Sequence, residues 1–294
     1  MRVEDPTAAQ TTTKGPDAEA PGGTRRYVRG AAMYAVVVVL ALFCVVPFAW
    51  VLLGSVDSRA GVYLQAPHFT LGNFEKFFQQ STTPRLLVNS VVFGIGGTVL
   101  ALALSMLGGY ALSRYHFPGR RSLMFAILLV RVVPPTATIV PLYIIMIKLG
   151  LNNSYTGLIL VEAAYQVPLL LWLMKGAYDS IPIELEEAAW IDGCSRLGGV
   201  LRVALPLSRP GLGAGALFAF INIWGDFLTP LVLLQSPDKY PISVGLFRAF
   251  SAFNQVDWGL LTATAVLYMV PTVVLYLFVR KYLLRATVGG AVKG

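Results

Sequence analysis

Charged residues are scarce in this sequence. They make up 13% of the 294 residues, whereas hydrophobic residues make up 56%, and the mean hydropathy is +0.66. A soluble domain of this length carries far more charge. The apolar residues also form long unbroken runs that a surface in water would not tolerate. The composition therefore excludes a soluble globular protein and predicts an integral membrane protein.

Cysteine and histidine are also rare, with two residues of each. Cys44 and Cys194 have no neighbour at metal-ligand or redox spacing, so neither a disulfide framework nor a metal site is predicted. His68 and His116 fall in different connections. The sequence has no His-Glu-x-x-His pattern, no nucleophile elbow and no paired carboxylates. We therefore predict no catalytic site, which argues against a membrane-embedded enzyme.

The sequence also argues against binding of a nucleotide and against binding of nucleic acid. The sequence lacks the Gly-x-x-x-x-Gly-Lys-Ser/Thr loop that cradles nucleotide phosphates. Its net charge is +8, but the basic residues lie beside apolar runs and form no stripe interleaved with aromatic residues. Such a distribution does not indicate nucleic acid as a partner.

Six apolar runs follow a polar amino-terminal tail. The tail, residues 1–24, is rich in Thr, Ala, Pro, Gly and acidic residues and is predicted to be disordered. Each run is near the roughly 20 residues that cross a bilayer core. The sequence predicts an all-α membrane domain over residues 25–294 with six transmembrane helices. The predicted helices are residues 31–53, 86–112, 123–147, 155–174, 210–234 and 260–282.

Basic residues lie in alternate connections between the runs. These connections contain Arg25, Arg26 and Arg29, then Arg114, Arg120 and Arg121, then Lys175, Arg196, Arg202 and Arg209, and finally Arg280, Lys281 and Arg285. Because positive residues favour the cytoplasmic side, both termini are predicted to be cytoplasmic. Residues 54–85 then form the largest external loop.

Small residues recur every four positions in two of the runs. One stripe contains Gly97, Ala101, Ser105 and Gly109, and the other contains Gly211, Gly215 and Ala219. In lipid, small residues let helix backbones approach closely. We therefore expect a tightly packed bundle or a close contact with a partner subunit.

The connection over residues 179–209 has the features of a short cytoplasmic helix. Ser180 can cap this helix and Pro182 suits its first turn. Three glutamates between residues 184 and 187 favour its positive amino end. Gly193 stands where a left-handed residue commonly ends a helix. The pattern predicts a short amphipathic helix bounded by turns.

This segment resembles the EAA loop of ABC importer permeases. That loop has Glu-Ala-Ala, three residues, Gly, nine residues, an aliphatic residue, one residue and Leu-Pro. The matching residues here are Glu187, Ala188, Ala189, Gly193, Val203, Leu205 and Pro206. The resemblance implies a coupling helix that enters a cleft on the ATP-hydrolysing subunit. Glu187 would contact that subunit, Gly193 would permit the sharp turn, and Asp192 belongs to the same coupling set.

Other features resemble the maltose-transporter-type permeases of carbohydrate ABC importers, and in particular the six-span member of a heterodimeric pair. They are Phe117-Pro118-Gly119, Pro134-Pro135, Pro141-Leu142 and the carboxyl end at residues 289–294. The resemblance implies a bacterial inner-membrane permease subunit that imports a sugar or oligosaccharide. Its implied partners are a second permease subunit, two ATP-binding subunits and an extracytoplasmic solute-binding protein.

ATP and Mg would be used by the ATPase subunits, and this chain would bind no cofactor. A non-sugar solute remains an alternative. An ion-coupled secondary transporter is a further one, although it would require an inverted repeat and a midplane ion site, and neither is visible in the sequence.

Polar residues at membrane depth are candidates for the substrate pathway, because ionisable groups are costly there. The candidates are Arg131, Glu162, Gln166, Asn222, Trp224 and Asp226. Aromatic faces and amides are the groups that bind sugars. Structural alternatives stay open: a paired Arg131, an interfacial Glu162, and helix–helix hydrogen bonds near residues 222–226. Pro134, Pro135, Pro141 and Pro168 suggest broken or kinked helices, which are tolerated where they line a cavity.

Overall fold

The computed structural model describes residues 23–63, 66–80, 82–251 and 256–291, and most of those residues are helical. Within these ranges the extended structure is limited to one isolated bridge between Asp57 and Phe69. The all-α prediction is confirmed. The predicted tail lies outside the described residues except at its end, where the first helix begins at Gly23.

The helices follow one another along the chain, and the longest connection, residues 56–71, lies between the first two. They are α1 (Gly23–Ser55), α2 (Gly72–Gln79), α3 (Thr83–Arg114), α4 (Arg120–Val130), α5 (Pro135–Lys148), α6 (Tyr155–Asp179), α7 (Glu184–Ile191), α8 (Arg196–Gly199), α9 (Leu205–Leu207), α10 (Arg209–Gly225), α11 (Leu228–Leu233), α12 (Ile242–Ser251) and α13 (Trp258–Ala291). A π-helical turn, Val200–Ala204, joins α8 to α9, and a 3₁₀ turn, Pro237–Lys239, precedes α12.

Four to six segments of the described chain are candidate membrane helices. Ala32–Ser55, Thr83–Arg114, Tyr155–Asp179 and Trp258–Arg280 are each long and apolar enough to cross a bilayer. Two helix pairs meet the same condition only when each is taken together. One pair, α4 with α5, is bent by 95°, and the other, Arg196–Leu207 with α10, is bent by 75°.

The third predicted membrane helix is broken. The helix α4 ends at Val130, and α5 begins at Pro135 after an extended Pro134 with ψ of 142°. A residue that precedes proline is driven out of the helical region by steric clash, so Pro134 cannot continue α4 into α5. Pro141 and Pro168 have no such effect, since both lie inside continuous helices.

The fifth predicted helix ends earlier than expected. The helix α10 stops at Gly225, whereas residues 210–234 were predicted to be continuous. The Asp226 carboxylate accepts hydrogen bonds from the amides of Leu228 at 2.9 Å and Thr229 at 3.3 Å. A carboxylate that satisfies first-turn amides favours a new helix start, and α11 begins there.

The chain divides into two compact units, residues 1–50 and 51–294. The first unit contains most of α1, whose apolar part corresponds to the first predicted membrane helix. In the second unit α3 and α6 lie side by side, α10 packs against both, α13 packs against α10, and α2 packs against α13.

Both small-residue stripes form the contacts within this bundle. All four residues of the α3 stripe are buried. Ala101 from this stripe and Ala219 from the α10 stripe belong to one cluster with Ala163 and Leu170 of α6. Gly211 of α10 lies directly against the Ala177 side chain of α6. The predicted close packing is confirmed and occurs within the chain.

The closest approach of α3 and α6 yields a prediction. A Cβ at Gly109 would lie 2.9 Å from the Met174 Cβ and 3.0 Å from the Lys175 backbone nitrogen. Gly109→Leu is therefore expected to destabilise the bundle by about 1–3 kcal/mol, because the backbone cannot yield as a side chain would. Thermal unfolding in detergent, followed by tryptophan fluorescence, measures the change.

The matched control is Gly176→Leu on α6, where an added Cβ meets nothing within 4 Å. This variant should unfold close to the wild-type temperature. Equal melting of the two variants would contradict the close packing of α3 on α6.

Candidate functional site

The predicted short helix exists as α7 and ends in the expected turn. Gly193 has a φ of +89°, in the left-handed region that favours glycine. Its amide donates to the Trp190 carbonyl at 3.0 Å, and the Cys194 amide donates to the Ala189 carbonyl at 3.0 Å. This pair of hydrogen bonds is the Schellman arrangement that terminates many helices. It turns the chain back into α8, so that α7 and α8 form a helical hairpin.

The start of α7 differs from the prediction, because Ser180 does not cap it. The helix α6 extends to Asp179, and the Ser180 hydroxyl donates to the Ala177 carbonyl at 2.7 Å. Ser180 therefore ends α6, and α7 begins only at Glu184. The three glutamates of its first turn remain where a positive helix end favours them.

One face of α7 is open to a partner. Glu187 and Ala188 of the motif are exposed, as is Asp192 after the helix, while Ala189 is half-buried. The Ile191 side chain is 86% exposed, which is unusual for an isoleucine outside lipid. This face therefore combines a carboxylate with an exposed aliphatic side chain.

The rest of the motif stabilises the hairpin and leads into α10. The Trp190 indole lies against Gly199, where a Cβ would come within 2.6 Å of its nitrogen, and the Arg196 guanidinium lies 5.7 Å from the Trp190 ring centroid. The π-helical turn and α9 follow, with Leu205 and Pro206 half-buried. The two halves of the motif are thus parts of one small folded unit.

The side chain of Glu186 points the other way and is fully buried. One of its carboxylate oxygens accepts a hydrogen bond from Arg114 Nε at 2.8 Å, and Arg114 Nη2 lies 2.7 Å from the same oxygen in an ion pair. Its second oxygen accepts from the Tyr110 hydroxyl at 2.7 Å. Sequence reasoning missed this cluster, because nothing in the local pattern distinguishes the inward glutamate from its neighbours.

Three of the six predicted pathway residues line one cavity. Arg131, Gln166 and Asn222 face a space of about 440 Å³ between the α4–α5 break, α6 and α10. The break between α4 and α5 thus borders a cavity through Val133 and Pro135, as non-helical backbone at membrane depth does when it is tolerated. The cavity is large enough for a small organic ligand.

Two of the polar side chains at this cavity have no polar partner in the described chain. The Gln166 side chain is 7% exposed, and its Oε1 atom has no hydrogen-bond partner among the described residues. Arg131 lies 5.3 Å above the Phe218 ring, and no carboxylate within the described ranges pairs with it. A ligand with several hydroxyl groups could satisfy these donors and acceptors.

Two further lining residues were missed from the sequence. The Thr138 and Tyr165 hydroxyls lie 3.3 Å apart at the cavity wall. Tyr165 directly precedes Gln166, and Thr138 lies one turn after Pro135. A search for polar groups beside the proline pair and beside Gln166 would have found both.

The other three predicted residues lie away from this cavity. Glu162, Trp224 and Asp226 border a space of about 10 Å³, which is no larger than one water requires. The Trp224 ring stacks between Phe220 and Tyr268, and its Nε1 donates to the Tyr268 carbonyl at 3.0 Å. In this conformation these residues contribute to packing and to the start of α11.

Comparison with known proteins identifies the family. The model described as "Binding-protein-dependent transport system inner membrane component" matches residues 97–288, a range that includes both the hairpin and the cavity. The chain belongs to this family. The permease is therefore a multi-pass inner-membrane component of an ABC importer, a class of subunit distinct from the ATPases. No cluster of three metal-ligating side chains is found in the described part of the permease.

Named relatives match most of the permease. A diacetylchitobiose uptake system permease of Streptomyces coelicolor is 31% identical over 87% of this chain and 86% of its own length. A maltodextrin transport system permease of Bacillus subtilis is 33% identical over 77% of this chain and 81% of its own length. The crystal structure of a bacterial ABC transporter that imports alginate matches with a TM-score of 0.77 at 22% identity, over 87% of this chain and 97% of that one. This last likeness supports the fold.

The turn after α7 generates a prediction. Gly193→Val places a β-branched residue in the left-handed region, at a cost of about 1–2 kcal/mol. The turn should open more often, and the Cys194 amide should exchange with deuterium roughly 5–30 times faster. Hydrogen–deuterium exchange with mass spectrometry measures this rate.

Gly193→Asn is the matched control, since asparagine visits the left-handed region more readily. Its Cys194 amide should exchange at a rate between those of wild type and Gly193→Val. An unchanged rate in all three proteins would show that the turn does not depend on the φ of residue 193.

Proposed function

We propose that the permease forms half of the translocation pathway of an ATP-driven importer for a sugar or oligosaccharide. The observation that carries the proposal is the set of relatives that match most of the chain. They are named for uptake of diacetylchitobiose, maltodextrin and arabinooligosaccharides. An extracytoplasmic binding protein delivers the solute, a second permease completes the pathway, and two ATPase subunits use ATP and Mg. The permease itself is a transport subunit without an ATPase site.

We propose a six-span topology with both termini in the cytoplasm. Residues 1–24 form a cytoplasmic tail, residues 25–294 form the permease domain, and residues 179–209 form its cytoplasmic EAA loop. In this topology α4 and α5 together make the third span and α10 makes the fifth. The clustering of basic residues in alternate connections supports the orientation.

The hairpin α7–α8 is proposed to couple the permease to an ATPase subunit. The coupling residues are Glu187, Ala188, Ala189, Asp192, Gly193, Leu205 and Pro206. The exposed carboxylate and Ile191 of α7 fit a cleft that offers a positive group and an apolar floor. The left-handed Gly193 keeps the hairpin narrow enough to enter such a cleft.

The cavity is proposed as this chain's part of the solute pathway. Arg131, Gln166 and Asn222 contact the solute there. Glu162, Trp224 and Asp226 hold α6, α10 and α11 in the positions that form its walls. Hydroxyl groups of a sugar would satisfy the unpartnered Gln166 oxygen, and the Tyr165 side chain supplies an aromatic group at the same cavity.

The order of the helices along the chain links the hairpin to the cavity. The hairpin lies between α6, which carries Gln166, and α10, which carries Asn222. Movement of the hairpin therefore acts on two helices that line the cavity. Closure of the ATPase subunits would move these helices as rigid bodies between outward-facing and inward-facing states.

A second candidate is import of a non-sugar solute. One relative, from Synechocystis sp., is named an osmoprotective compounds uptake permease and is 31% identical over 78% of this chain. An ion-coupled carrier is less consistent with the family, whose members work with a binding protein.

Purification of the tagged permease from native membranes tests the proposal first. We expect mass spectrometry to find a second permease, an ATPase and a binding protein. The binding protein can then be screened against oligosaccharides and other compatible solutes. Recovery of the permease without any ATPase in mild detergent would overturn the importer proposal. If the binding protein bound only non-sugar solutes, the assignment of a sugar as the solute would be overturned.

Glu187→Arg tests the coupling role. Reversal of charge at a contact with the ATPase should abolish solute uptake while the amount of permease in the membrane stays unchanged, as measured by labelled-solute uptake and immunoblotting. The control Glu184→Arg makes the same charge change at another exposed position of α7. Uptake should survive in this control. Survival in both variants would contradict a specific contact at Glu187.

Gln166→Leu tests the cavity. Loss of one hydrogen bond worth about 0.5–1.5 kcal/mol should raise the solute concentration for half-maximal uptake roughly 2- to 12-fold. The control Thr98→Val also removes a buried side-chain oxygen that has no partner in the described chain, but Thr98 does not line this cavity. An unchanged half-maximal concentration in Gln166→Leu would contradict a contact between Gln166 and the solute.

A further inference from the structure

The attachment of α7 to the bundle depends on buried polar contacts. The chain between α6 and α7 consists of residues 180–183 only, and it contains no helix. Of these four residues only Ile181 is buried, in a cluster with Met174 and Tyr178, and a linker held by so few contacts permits a helix to swing. The buried Glu186 carboxylate and the last turn of α3 provide the connection that the linker alone lacks.

Three residues of α3 form this connection. Tyr110 and Arg114 both bind the Glu186 carboxylate, at 2.7 to 2.8 Å. Arg114 Nη2 also donates to the Ile181 carbonyl of the linker at 3.0 Å, and the Ser113 hydroxyl donates to Asp179 at the end of α6 at 2.6 Å. The end of α3 thus holds the end of α6, the linker and α7 together.

The geometry of the Arg114–Glu186 pair favours a fixed position of α7 relative to α3. Arg114 presents two guanidinium nitrogens to one carboxylate oxygen, and the side-chain exposures of the two residues are 11% and 0%. A guanidinium fork restricts the angle of its partner far more than an ammonium group does. Burial also shields the pair from the salt screening that weakens exposed ion pairs.

We infer that Arg114, with Tyr110, positions the coupling helix by locking Glu186, so that α7, α6 and α3 move as one rigid body. Arg114 and Glu186 are positioning residues in this reading. The exposed Glu187 next to Glu186 stays free to meet a partner. The geometric part of the inference is independent of the proposed function, and only its consequence for transport rests on it.

A distance measurement tests the rigid attachment directly. Spin labels are placed at Tyr115, which follows α3, and at Ile191, at the end of α7, in the full-length permease with Cys44 and Cys194 replaced by serine. Both label positions are well exposed. We expect one narrow distance distribution for the otherwise unchanged protein, and a broad or shifted one for Glu186→Gln.

The charge-swapped variant Arg114→Glu/Glu186→Arg should narrow the distribution again, which a general loss of folding would not do. If Glu186→Gln does not accumulate in the membrane, Arg114→Lys serves instead. It keeps the charge but loses the fork, and we expect an intermediate width. A distribution as narrow in Glu186→Gln or in Arg114→Lys as in the parent protein would overturn the inference.

The control is the exposed ion pair between Lys76 and Asp257, with a nitrogen–oxygen distance of 3.0 Å and side-chain exposures of 56% and 46%. Asp257→Asn removes this pair without touching α7. The distance distribution should stay narrow in this variant. A broadening equal to that of Glu186→Gln would mean that the distribution reports general loosening, and would also overturn the inference.

The co-purified complex separates this inference from the proposed function. In Glu186→Gln, ATP hydrolysis should continue, but its stimulation by the co-purified binding protein should be lost. If the wild-type complex contains no ATPase, the proposed function fails, while the distance measurement still decides the rigid attachment. Stimulation of ATP hydrolysis could persist in Glu186→Gln although the distance distribution broadens. In that case the contact of Arg114 and Tyr110 with Glu186 has no role in coupling.

Discussion

The close approach of α3 and α6 is the contact on which the rest of the structure depends. In lipid there is no hydrophobic force to draw helices together, so association relies on van der Waals contact between backbones. Gly109 and Ala101 allow that contact because larger side chains would collide with α6. The α10 stripe then packs on the same pair. The cavity and the attachment of α7 are both built on helices held in this way.

Polar side chains cluster at two places along α6, one near its middle and one at its end. Near the middle of α6, Gln166 meets the α4–α5 break and Asn222 at a cavity. At the end of α6, Asp179 and Glu186 are held by Ser113, Arg114 and Tyr110 of α3. Because α6 contributes to both, a single helix connects the cavity with the attachment of α7, as the proposed coupling requires.

Several features could be predicted from the sequence because they depend on local chemistry. Gly193 ends α7 because only glycine adopts the left-handed region without strain, and Pro134 breaks the third predicted span because Pro135 excludes a helical neighbour. Other expectations failed for tertiary reasons. Ser180 belongs to α6, which continues one turn beyond its apolar run. The Asp226 carboxylate starts α11 within a run that was predicted to be one continuous helix.

The sequence by itself determined the membrane class, the family and the short helix α7 with its terminal turn. These follow from apolar run length and from residues at fixed spacing, and neither depends on how helices pack. Only the tertiary structure decided which polar residues share a site. Arg131, Gln166 and Asn222 come from three segments and line the same cavity. Glu162, Trp224 and Asp226 instead pack between helices. It also decided that Glu186 faces α3 and Glu187 faces outward. Adjacent glutamates differ by about 100° around a helix, and only the neighbouring helix determines which of them is buried.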